Sequence, residues 1–199
     1  MFKVLRDVFA RLNVNFFGPV FGVQFTKQNH TRPSTLKALE VFGNNPIRVI
    51  EIGCYTGINA KNILSILNVK EFVVIDPYEK YDEFPDYNIS LLAKAEKIAL
   101  KRLQSSNTKI TWVKEYSNDA IPFLNDKYDF IYIDGNHEFD FAYQDMVNYY
   151  QLLSPGGVMG GHDISDSGVH KALFKFLKDY DIQNFGIKEP DWYIQKTSI

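Results

Sequence analysis

The chain contains a single cysteine, Cys54, in 199 residues. No intrachain disulfide can form, and the cysteine usage carries no sign of secretion. Charge of one sign is also missing: 22 Lys and Arg stand against 24 Asp and Glu, a net charge of -2. A basic stripe for RNA or DNA is therefore not expected. Long apolar runs are absent too. Met1 to Leu12 places Phe2, Leu5, Val8, Phe9 and Leu12 at helical spacing, but Lys3, Arg6, Asp7 and Arg11 interrupt them. That helix is too short to span a bilayer and makes a poor signal peptide, so the expectation is a cytoplasmic protein without stable membrane insertion. Its apolar side docks on the domain or on a second subunit, or else lies on a membrane surface. The Phe-rich first 25 residues point to a homodimer. Internal repeats and low-complexity tracts are lacking.

Three catalytic signatures are absent as well. No G-x-S-x-G elbow occurs, which counts against serine hydrolysis. The dinucleotide fingerprint G-x-G-x-x-G would need glycine at position 55, where Tyr55 stands. The same loop lacks the lysine of a phosphate-binding P-loop, so pyrophosphate is a poor fit.

What is present is a core-forming composition, 45% hydrophobic and 15% aromatic, in a chain of one-domain size. After an irregular stretch from Phe16 to His30, Pro33 to Phe42 has helical spacing. Short runs rich in β-branched residues then predict strands at Arg48–Ile52, Phe72–Ile75, Ile110–Val113, Phe130–Ile133 and Gly157–Met159. Helical stretches at Ile58–Leu67, Ser90–Gln104, Asn118–Leu124, Phe139–Leu152 and Val169–Tyr180 alternate with them. Such alternation implies a parallel sheet covered on both faces. Ile182–Ile187 and Trp192–Gln195 have only Lys188–Asp191 between them, which makes an antiparallel pair. The fold class is therefore α/β, a Rossmann-like seven-stranded mostly parallel sheet with a terminal antiparallel strand. An N-terminal helical cap segment, residues 1–45, precedes a core of residues 46–199. Pro77 to Ile89, mixing Tyr and Phe with acids, is an insert after a strand end: a substrate lid or an acidic solvated loop.

The first strand runs into Glu51-Ile52-Gly53-Cys54-Tyr55-Thr56-Gly57 and then a helix. Glycines at a strand exit let the backbone turn and approach a ligand, and the helix start offers free N–H groups. Asp76 closes the second strand, where an acid can accept both hydroxyls of a ribose. Strand four ends in Asp134-Gly135-Asn136-His137, and strand five in His162-Asp163. Neighbouring parallel strands thus deliver ionisable pairs to one sheet edge, and buried charges are costly unless paired or metal-bound.

E-x-G-x-x-x-G followed by the acid closing strand two resembles the first motifs of class I S-adenosylmethionine-dependent methyltransferases. The terminal antiparallel strand is similar to that family's topology, and the resemblance covers about residues 46–197. It implies S-adenosyl-L-methionine as cofactor, with Glu51, Gly53, Cys54, Tyr55 and Gly57 around its methionine part and Asp76 on its ribose. Tyr116 and Ser117 fall where the adenine is contacted, or else cap a helix. Asp134, His162 and Asp163 resemble the divalent cation site, magnesium or manganese, of small metal-dependent sugar O-methyltransferases and the cephalosporin-hydroxylase-like group, though those relatives often carry two acids at the last two positions. The alternative for Asp134 and Asp163 is direct bonding to substrate or loop capping. His137 is either a general base for the acceptor hydroxyl or a helix-start hydrogen bonder. Together these features predict methylation of a small hydroxylated molecule such as a sugar, metal-assisted or, as runner-up, metal-free on N or O. A hydrolase, a nicotinamide oxidoreductase and a non-catalytic binding module are the rivals. Asp145 is expected on a solvated helix face, His170 in solvent, and Arg32 with Gln24 and His30 as a possible cover of the cofactor.

Overall fold

The computed structural model describes residues 31–79, 89–124 and 126–197. The expectations for Met1–Leu12 and Phe16–His30, and most of the insert after Pro77, lie outside them. Helix α1 (Pro33–Phe42) leads into β1 (Ile47–Ile52), α2 (Ile58–Ile66), β2 (Val69–Ile75), α3 (Ile89–Leu103) and β3 (Lys109–Val113). Then come α4 (Ser117–Ala120), β4 (Tyr128–Ile133), α5 (Phe139–Leu152), β5 (Leu153–Gly161), α6 (Ser167–Asp179), β6 (Phe185–Lys188) and β7 (Asp191–Gln195). The strands form one sheet in the order β3-β2-β1-β4-β5-β7-β6. The pairs from β3 through β5 are parallel, and β7 runs against both β5 and β6. No helix among the described residues is long and apolar enough to cross a membrane.

Alternation along the strands sorts the core into two layers. Ile50, Ile52, Val73, Ile75, Ile131, Ile133 and Met159 face α5 and α6, meeting Met146, Tyr149, Leu173 and Phe176. Val49, Phe72, Val74, Phe130, Tyr132 and Val158 face the other way, onto Ala38, Ala60, Ile63, Ala95 and Ala99 of α1, α2 and α3. Sequence runs that are apolar at every position are what a sheet covered on both sides requires.

Several boundaries moved. The stretch expected as one helix from Asn118 to Leu124 is α4 followed by a short 3-10 turn, Ile121–Phe123, with Pro122 inside it. Proline removes a backbone donor and cannot continue an α-helix, which accounts for the break. β5 begins at Leu153, ahead of the Pro155-Gly156-Gly157 punctuation that suggested a later start. Asp191 opens β7 rather than ending a turn, and it is fully buried.

The register sets the site. Ile52 pairs with Ile75 on one side and Ile133 on the other, and Ile133 pairs with Gly161. The next residues, Gly53, Asp76, Asp134 and His162, therefore stand level at the C-terminal edge. Ladder bonds continue through them: Gly53 N to Ile75 O at 2.9 Å, Asp134 N to Ile52 O at 2.8 Å, His162 N to Ile133 O at 3.0 Å. The connections diverge between β1 and β4, and at such a switch point open α/β sheets carry their ligand crevice.

Candidate active site

The loop from Gly53 to Gly57 is held by its neighbours on both sides. Gly53 has φ +80°, and a Cβ there would lie 1.9 Å from the Asp134 carbonyl oxygen. Only glycine lets the loop pass this close to β4. On the other side Asp76 accepts the Tyr55 amide at 2.7 Å through Oδ2 and the Tyr78 amide at 2.9 Å through Oδ1. The Tyr78 hydroxyl donates to the Tyr55 carbonyl at 3.0 Å. Asp76 thus has a structural duty beside any ligand, and each oxygen keeps a lone pair beyond its amide bond. Burial pushes its carboxyl above the usual range, against the lowering effect of those amides.

Glu51 points from β1 toward α2 and has no exposed surface. Asn59 donates to its Oε1 at 2.9 Å, and Oε2 has no hydrogen-bond partner among the described residues. Desolvation raises the carboxyl to about 8, so it is mostly protonated at neutral pH. Cys54 is buried beside it, and burial pushes its thiol well above its ordinary value, the opposite of a reactive thiolate.

At the β4 and β5 ends, four side chains converge. His137 Nε2 lies 3.2 Å from Asp163 Oδ2 and 3.7 Å from Asp134 Oδ1. His162 Nδ1 lies 2.9 Å from Asp163 Oδ1 and 3.7 Å from Asp134 Oδ1. Their side chains are 11–26% exposed, open to a ligand yet screened from bulk water. Asp163 has φ +55°, a left-handed backbone that non-glycine residues adopt at a cost of about 1 kcal/mol or more, characteristic of functional turns. The His137 loop is fixed by α6: a Cβ on Gly168 would come within 2.1 Å of the His137 carbonyl oxygen. The sequence placed all four residues at one edge, and the structure brings them into contact.

The expected cation ligands meet the first geometric requirement, since donor atoms of Asp134, His162 and Asp163 lie within 4.8 Å of one another. A second feature works against their use as a metal set. Arg32 Nη1 hydrogen-bonds to His162 Nε2, and guanidinium only donates. The ring proton then belongs on Nδ1, the nitrogen that faces the carboxylates, where a metal would need a bare lone pair. The arrangement as it stands does not suit a metal held through His162.

Some residues lie elsewhere than expected. Asp145 is 2% exposed rather than solvated. It sits on the inner face of α5, next to Gly135 and bonded to Ser117, and burial raises its carboxyl to about 7. Helical spacing could have shown this, since Asp145 shares its stripe with the buried Ala142 and Tyr149. Ser117 opens α4, and its carbonyl accepts the Tyr149 hydroxyl at 2.8 Å. Tyr116 is 36% exposed, its hydroxyl 3.4 Å from Glu79 Oε2. His170 is exposed and rests on Phe174. Asp191, which sequence reasoning missed, stands behind the site: it accepts the Ser34 amide at 3.2 Å, the Ser34 hydroxyl, and the Tyr132 hydroxyl at 3.4 Å. No local pattern announces a partner more than 150 residues away.

A seven-stranded sheet in this order, with an acid after β2 and a glycine turn after β1, defines the Rossmann-like methyltransferase class. Residues 50–164 match a family described as a methyltransferase domain, and the chain belongs to that family. No curated protein sequence matches it. Among solved structures, a structural-genomics protein from Corynebacterium glutamicum is similar over 98% of this chain and 97% of its own, with TM-score 0.62 and 16% identity. The O-methyltransferase NovP matches 82% of this chain and 78% of its own, with TM-score 0.60 and 16% identity. The O-methyltransferase TomG from Streptomyces achromogenes, solved with S-adenosylmethionine, does so over 82% and 78% with TM-score 0.56 and 13% identity. At these identities the likeness establishes the fold.

Proposed function

We propose that this chain transfers a methyl group from S-adenosylmethionine to an oxygen of a small hydroxylated molecule, with sugars among the acceptors. One observation carries the reading. The glycine loop, the Asp76 carboxyl and the His137–Asp163 pair stand at the same sheet edge, the one at which this fold binds ligands. Two similar structures are O-methyltransferases, one of them solved with the donor, which supports the choice of donor and of acceptor atom.

The residues suit that donor. The orphaned Oε2 of Glu51 fits an ammonium group, and the outward lone pairs of Asp76 fit a ribose diol. When bound, the donor supplies an activated sulfonium methyl with a neutral leaving group. What is left for the protein is to aim the acceptor and remove its proton. His137, with Nε2 3.2 Å from Asp163 Oδ2, takes the hydroxyl proton at Nδ1, and the imidazolium formed is stabilised by the charges of Asp163 and Asp134. Asp163 orients the ring, as the carboxylate does in other base–carboxylate pairs.

Calorimetric titration with S-adenosylhomocysteine tests the reading. Micromolar binding that is lost in Asp76→Ala, with the variant's melting transition still cooperative, is the expected result. No nucleoside binding to the wild-type chain would overturn it and favour a binding module for other ligands.

A further inference from the structure

The contact between Arg32 and His162 has the wrong polarity for a metal site. In metal-bound histidines the far ring nitrogen donates its N–H to an acceptor, which leaves a lone pair for the ion. Here the group at the far nitrogen is itself a donor. The lone pair of His162 is used on Nε2, so the ring proton sits on Nδ1, which lies 2.9 Å from Asp163 Oδ1. The second oxygen of Asp163 lies 3.2 Å from His137 Nε2.

Arg32 is held in that position by a separate device. It is the residue before the first turn of α1, and its own side chain does not cap that helix. The cap comes instead from the buried Asp191 of β7, which accepts both the amide and the hydroxyl of Ser34. A carboxylate at a helix N-terminus satisfies an otherwise open donor and interacts favourably with the dipole. The same carboxyl attracts the Arg32 guanidinium by charge. Asp191 therefore fixes the start of α1, and with it the reach of Arg32. Guanidinium is permanently charged, so a fixed cation stands at the far nitrogen of His162.

We propose that Arg32 is the built-in cation of this site. It holds the His162 proton on Nδ1, the nitrogen facing Asp163, and so denies a divalent ion the lone pair it would need there; Arg32 is a positioning residue. The part concerning methyl transfer, namely that it proceeds without a metal, rests on the function proposed above. The tautomer and the exclusion of metal do not.

Two measurements on the full chain test this. Nitrogen NMR of the imidazole rings should find His162 as the Nδ1–H tautomer in the wild type. Manganese(II) titration, with the free ion followed by electron paramagnetic resonance, should show no binding tighter than about 1 mM at this site. In Arg32→Met the ring should shift to the Nε2–H form, and manganese affinity should rise by roughly tenfold or more. An Nε2–H tautomer in the wild type overturns the proposal. So does micromolar manganese binding that Asp163→Asn abolishes, or an unchanged affinity in Arg32→Met. Should that variant not fold, the two wild-type results decide by themselves. Titration of the same sample with S-adenosylhomocysteine separates the readings: failure to bind it removes methyl transfer, while the tautomer and metal results stand.

Discussion

Glu51 is the residue whose chemistry depends most on its surroundings. An exposed glutamate would be ionised at neutral pH, but burial lifts this one to about 8. An ammonium group arriving at its orphaned oxygen favours the charged form and lowers that value. Binding of S-adenosylhomocysteine at pH 7 should therefore release a proton, seen as a binding heat that varies with the ionisation enthalpy of the buffer. The Glu51→Gln variant should lose that dependence. His137 makes a second residue-scale case. Replacing it with Gln should cut turnover on a panel of hydroxylated acceptors by about 10²–10⁴-fold, as expected for a general base. Affinity for S-adenosylhomocysteine should stay within a few-fold, because the His137 ring lies against the acid pair at the β4 and β5 ends. A parallel loss of nucleoside binding would count against a role confined to proton removal. The places of both side chains, near the end of β1 and just after β4, were legible in the sequence. Their protonation states and partners were not.

At the scale of elements, α1 shows how a local signal and a distant one combine. Its span follows from Pro33, the apolar spacing and Gly43. Its anchoring does not, because the cap is supplied from β7 at the far end of the sequence. Asp191→Ala would leave the Ser34 amide and the fully buried Tyr132 hydroxyl without their acceptor. The loss should be about 2 kcal/mol in denaturant unfolding, partly offset because a carboxyl no longer has to be buried. The same change should free Arg32 from its place. Asp145 teaches a similar lesson. Charge suggested solvent, yet the helix stripe on which it lies turns inward, and a Ser117 partner together with a raised carboxyl accommodates it there. The break after α4 was legible in Pro122. The early start of β5 was not, since pairing of Leu153 with Tyr128 overrides the glycine punctuation that follows.

For the whole molecule, the buried carboxyls act together. Glu51 is raised from 4.5 to about 8 and Asp145 from 3.8 to about 7, and Asp76 and Asp191 are raised as well, all chiefly by desolvation. Each native carboxyl keeps its proton at pH values where the unfolded chain has lost it. Their contribution is thus fully present below the unfolded values and is lost as pH rises toward the folded ones. The ligand-free protein should become less stable from pH 5.5 to pH 8, at up to about 1.4 kcal/mol per pH unit for each of Glu51 and Asp145. Chemical denaturation across that range checks the slope, and Glu51→Gln should flatten its upper half. Stability rising with pH would show that these groups are ionised in the fold.

The sequence by itself determined the alternation of strands and helices, the glycine turn after β1, and which acids and histidines arrive at one sheet edge. These are matters of local period and chain order, and register then carries them to the same level. Only the tertiary structure decided that Arg32 reaches His162, that Asp191 holds α1, and that Asp145 is inside. Those depend on which helix lies on which strand, and on how far a side chain's desolvation is offset by partners on other elements.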